Sequence, residues 1–152
     1  MREEFVTKSI LTWLEDAGWT IISFDFPQSG TGKRLVPDSA APSNKNLGVI
    51  IPDVIAWKKD CYLFLENKDH YSHADINKLE AIKFGSAYSI SLKEIVPSNG
   101  RILIGVGFPN IPSIISQALT HQVLLDYVLG VDESGSVHVV RKPPPSGMVF
   151  GK

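Results

Sequence analysis

The chain is 152 residues long and 43% hydrophobic, enough for one domain with a real core and too short for two ordinary ones. Its 15 Lys and Arg nearly balance 16 Asp and Glu, which excludes an acidic disordered tail or a histone-like basic arm. The single Cys61 excludes an internal disulfide and a multi-cysteine zinc site.

No apolar run approaches the roughly 20 residues of a membrane helix, so no membrane partner is expected. Met1-Arg2-Glu3-Glu4 lacks the positive start of a signal peptide. A soluble, cytoplasmic protein is therefore expected. Near-neutral charge does not exclude nucleic acid, because a local basic patch or a bound cation can bring in phosphates.

From Arg2 to Ala17, Val6, Ile10, Trp13, Leu14 and Ala17 form the stripe of an amphipathic helix, stopped by Gly18. Trp19 to Phe26 is β-prone and ends at Pro27. Residues 27–48 carry three prolines and three glycines and read as a long, functional loop. Val49 to Trp57 predicts a second strand, Lys58-Lys59-Asp60 a tight turn, and Cys61 to Leu65 a third strand running into Glu66-Asn67-Lys68.

Helical spacing returns from Ala74 to Phe84, and Arg101 to Val106 is a fourth strand. A short helix over 111–119 follows. A hairpin of 124–131 and 136–141, turned by Asp132-Glu133-Ser134-Gly135, comes next, and Pro143-Pro144-Pro145 opens a loose tail. The expected architecture is α/β: a central mixed sheet flanked by helices over 2–107, with an accessory helix and hairpin over 108–142 in the same domain. Residues 143–152 form the Pro-rich tail. Trp13, Trp19 and Trp57 are expected in the core.

Asp53 interrupts an apolar run, and a carboxylate is costly to bury unless it is paired or bound to a metal. If the second and third strands form a hairpin about residue 59, Asp53 lies opposite residue 65 or 66. Glu66 and Lys68 project to one side and Asn67 to the other. Two carboxylates and an ammonium then converge on one face. Carboxylate oxygens, with the backbone carbonyl of Asn67, suit Mg²⁺, and Lys68 is placed to orient or deprotonate a water or to stabilise a phosphoryl transition state.

Pro52-Asp53 followed by Glu66-x-Lys68 resembles the PD-(D/E)XK motif of the restriction-endonuclease-like nuclease superfamily. Ile51 to Trp57 and Leu65 to Lys68, preceded by Gly18-Trp19 and Ser29-Gly30-Thr31-Gly32-Lys33, are also similar to archaeal Holliday-junction resolvases. The resemblance implies an αβββαβ core, with Asp53 and Glu66 as metal ligands and Lys68 as the catalytic lysine. It further implies a Mg²⁺-dependent DNA endonuclease, Mn²⁺ substituting, that leaves a 5′-phosphate. A first-helix glutamate often adds a ligand in this superfamily, and helical phase favours Glu3 over Glu4.

Ser29 to Arg34 does not make a nucleotide phosphate loop, since Pro27 stands where the first Gly belongs and Arg34 where Ser/Thr belongs. Gln28, Ser29, Lys33 and Arg34, with His70, His73 and Lys78, are instead candidate DNA contacts. Cutting two strands implies a two-fold homodimer, with residues 109–141 as the candidate contact. A restriction-like, defence or mobile-element nuclease, a junction resolvase and a non-catalytic DNA-binding or assembly subunit of the same fold remain alternatives.

Overall fold

A computed structural model describes residues 1–25, 32–39, 48–120 and 125–143. Helix α1 (Glu3–Asp16) leads into strands β1 (Thr20–Phe24), β2 (Val54–Lys58) and β3 (Cys61–Asn67). Helices α2 (His73–Phe84) and α3 (Ser89–Lys93) follow, then β4 (Arg101–Pro109), α4 (Pro112–Thr120), β5 (Tyr127–Val131) and β6 (Val137–Arg141). The six strands form one open mixed sheet in chain order. β1, β2 and β3 are antiparallel neighbours, β3, β4 and β5 run parallel, and β6 turns back antiparallel to β5.

Strand side chains alternate between the faces, and so do the two cores. Val54, Ala56, Leu63, Leu65, Leu103 and Leu129 pack with Val6, Ile10 and Leu14 of α1. Ile55, Phe64, Ile104 and Val106 face the other way, onto Ile76, Leu79 and Ile82 of α2, Leu92 of α3 and Ile115 of α4. β3 and β4 are covered on both faces, as their nearly unbroken apolar runs predict.

The local stops act as the residue types dictate. Gly18 takes a positive φ of 93°, and Lys58 Nζ donates to the carbonyl of Ala17 at 2.6 Å, placing a cation at the negative end of α1. Lys58 pairs with Cys61, so Lys59-Asp60 makes a two-residue turn, with Lys59 at φ 56°. At the other hairpin, Asp132 Oδ1 accepts from the backbone N–H groups of Ser134 and Ser136.

Three expectations are corrected. Val49 to Ile51 do not extend β2: Pro52 has no N–H to donate, and Ile50 exchanges two backbone hydrogen bonds with Leu35 instead. The C-terminal hairpin is not an appendage, because β5 lies in the sheet beside β4 and buries Val128, Leu129 and Val131 completely. Trp57 is 42% exposed; it sits at the far end of β2, stacked on Tyr62 rather than under a helix. The short α3 was not foreseen.

Candidate active site

Asp53 stands immediately before β2, and its carbonyl accepts from the N–H of Asp25 at 2.8 Å. Val54 pairs with Leu65, so continuing the ladder by one step sets Asp53 opposite Glu66. Here the ladder changes character. The N–H of Asn67 donates to a side chain, Asp53 Oδ2, at 2.7 Å. Asp53 and Glu66 also share a side-chain hydrogen bond on the face covered by α2.

Burial governs the charge of this pair. It pushes the Asp53 carboxyl up to about 6, against the hydrogen bonds from Asn67 and Glu66 that pull it down. Glu66 is only 5% exposed, and burial, then the neighbouring Asp53 charge, raise it well above the ordinary carboxylate range. A cation beside two such facing carboxyls would favour the ionised form of both.

Lys68 leaves β3 at its end, its N–H bonded to the carbonyl of Gly107 at 3.0 Å. Its ammonium lies 3.5 Å from Glu3 Oε1 on α1 and 3.8 Å from Asp75 Oδ2 on α2. Burial alone would lower the Lys68 pKa; Asp75, Glu3, Asp53 and Glu66 together outweigh it and raise it. The amine is held charged. Glu4 instead pairs with Lys8 at the surface at 3.3 Å, so of the two N-terminal glutamates Glu3 belongs to the cluster.

The middle residue of Glu66-Asn67-Lys68 is wholly buried on the α1 face. Asn67 Nδ2 donates to Thr7 Oγ1 at 3.3 Å, one turn along α1 from Glu3. That contact needs Gly107 on the parallel neighbour: a Cβ there would fall 2.5 Å from Asn67 Oδ1 and 2.1 Å from Ile10 Cδ1. Thr7, Asn67 and Gly107 thus set the position of α1 against the end of β3.

Asp53 and Glu66 therefore face each other across the strand ends, whereas Glu3 reaches Lys68 rather than the carboxyl pair and does not take the place of the third metal ligand expected of it. Among the described residues no three His, Cys, Asp or Glu side chains gather closely enough to hold a metal by themselves. The available donors are the Asp53–Glu66 pair and the carbonyl of Asn67, which leaves the strand on the same side as the N–H given to Asp53. Such a small, hard, oxygen-only set fits Mg²⁺, which retains several waters.

Asp75 was missed as a site residue. The one signal was Ser72, three residues upstream, which caps α2 by accepting from the Asp75 N–H at 3.4 Å. Lys33 and Arg34 are exposed in the segment before Leu35. His70 is exposed and lies 2.5 Å from Asp69, His73 opens α2, and Lys78 is half-exposed, 3.4 Å from Asp75. A groove of about 310 Å³ passes between Gly48–Ile50 and the α2 residues Ala74, Asn77 and Lys78. Gln28 and Ser29 lie outside the described residues. No helix among the described residues is long and apolar enough to cross a membrane. Comparisons with protein-family models, curated proteins and solved structures find no match to this chain.

Proposed function

We propose that the chain is a Mg²⁺-dependent DNA endonuclease of the PD-(D/E)XK kind, cutting phosphodiester bonds and leaving a 5′-phosphate. The observation that carries this reading is the placement of Asp53 against Glu66 at the ends of adjacent antiparallel strands, with the charged Lys68 one strand step beyond and Glu3 reaching it from α1. The order helix, three-stranded meander, helical crossover and parallel fourth strand supports it.

Asp53, Glu66 and the Asn67 carbonyl would hold the cation. When bound, Mg²⁺ supplies a Lewis acid for a phosphate oxygen and lowers the pKa of water. Lys68, already protonated, serves by electrostatic stabilisation of charge developing on the phosphoryl oxygens rather than as a base. Glu3 orients that ammonium. Lys78 and His73, beside the groove along α2, are the proposed backbone contacts, with Lys33 and Arg34 on the other strand-end segment. Two such chains in a two-fold dimer would address both strands of a duplex.

Supercoiled plasmid, linear duplex and a four-way junction, each incubated with Mg²⁺, Mn²⁺ or EDTA, test the proposal. Metal-dependent cutting should vanish in Asp53→Asn and Lys68→Ala while circular dichroism stays native. Normal cutting by either variant, or no cutting of any substrate by the wild type with either metal, refutes it. Preferential cutting of the junction would identify a resolvase.

A further inference from the structure

We infer that Asp75 is a positioning residue, which holds the Lys68 ammonium over the Asp53–Glu66 pair from the α2 side. This rests on the nuclease reading for its consequence, though not for its geometry. Asp75 occupies the third position of α2 after the Ser72 cap, where an acidic side chain commonly turns back to bond the cap's own N–H. It does not do so here. Oδ1 receives Lys78 at 3.4 Å, and Oδ2 has no hydrogen-bond partner among the described residues, facing Lys68 at 3.8 Å. The residue is 5% exposed, so water does little to satisfy that oxygen.

A buried carboxylate with one oxygen unbonded persists where a cation neutralises it. Glu3 approaches the same ammonium from α1, but its side chain is 32% exposed, against 8% for Asp75. Of the two anions flanking Lys68, the one in the drier setting exerts the stronger field. Glu3 also opens a helix whose N-cap, Arg2, makes no side-chain capping hydrogen bond. Asp75 is fixed by the Ser72 cap and by the packing of Ile76 and Leu79 beside it. Lys68 is therefore anchored on α2 and trimmed by α1.

Asp75→Asn keeps the shape and the helix start while removing the charge. Two measurements test it in the full chain. NMR order parameters of the Lys68 ε-methylene, with no metal present, should fall sharply in Asp75→Asn and less in Glu3→Gln. In plasmid cleavage, kcat should drop tenfold or more with KM nearly unchanged, and Asp75→Glu should recover part of it. Lys68 as ordered in Asp75→Asn as in the wild type overturns the inference, whatever the activity. If Lys68 loosens but the wild type cuts nothing, the anchoring stands and the nuclease reading fails. If the wild type cuts and Asp75→Asn keeps both its kcat and an ordered Lys68, the nuclease reading stands and the anchoring fails.

Discussion

The facing carboxyls should make the metal-free protein less stable at neutral pH than in mild acid, and Asp53→Asn should lessen the difference. In the unfolded chain Asp53 ionises near 3.8; in the fold, burial raises it to about 6. Between those values the folded state keeps a proton that the unfolded chain has released. Stability therefore declines as pH climbs through this window, and stays lower above it. A gap of about 2 pK units at about 1.4 kcal/mol each amounts to roughly 3 kcal/mol. Glu66, displaced in the same direction, adds to the decline.

Asp53→Asn has no proton to lose, and its amide oxygen can still accept from the Asn67 N–H. Relative to wild type it should be near parity at pH 4 and more stable at pH 8 by up to about 3 kcal/mol, or roughly 6 to 12 °C in Tm for a domain of this size. Thermal or urea unfolding in EDTA at half-unit steps of pH gives the curve. A difference between variant and wild type that stays flat from pH 4 to pH 8 would refute the reasoning. Added Mg²⁺ should stabilise the wild type, by about 2.7 kcal/mol at a hundredfold excess over Kd, and leave Asp53→Asn unmoved.

Two further substitutions separate neighbours that look alike in sequence. Glu3→Gln should lower kcat about tenfold, whereas Glu4→Gln, which breaks only the exposed pair with Lys8, should leave cleavage intact and shift stability by less than about 0.5 kcal/mol. Gly107→Ala forces a methyl group into Ile10 and Asn67, so urea denaturation should register a loss of about 1–3 kcal/mol or more. Ala tolerated there at no cost would mean that α1 is not seated on β4 as described.

Much of the site could be read from the sequence because its geometry is local. The tight turn after Lys58 fixes the hairpin register, and that register places Asp53 against Glu66 without reference to anything distant. The phase of α1 likewise separates Glu3 from Glu4. What escaped depends on tertiary docking. Nothing near Asp75 in the chain says that α2 will settle beside Lys68. Val49 to Ile51 read as strand by composition, but their backbone partner, Leu35, lies across a long loop. The pairing of β5 with β4 is parallel and runs through the α4 crossover, so no local turn announces it, whereas the hairpin of β5 with β6 is visible from the turn alone. Ser89 to Lys93 is too short to display a helical period.

The ladder between β2 and β3 ends on a substitution of side chain for backbone. Asn67 is fully buried, so its N–H needs an acceptor, and Asp53 Oδ2 is the one it has. Asp53 thus terminates the sheet and carries charge at the same atom. Asp53→Ala would orphan the Asn67 N–H, at about 1–3 kcal/mol, and would release the strand end that orients Glu66 and Lys68. Lost cleavage in that variant would not distinguish a missing ligand from a displaced one. Asp53→Asn keeps the acceptor and removes the charge alone. The contrast between the two variants therefore measures the structural share of the residue, and the contrast between Asp53→Asn and wild type measures the chemical share.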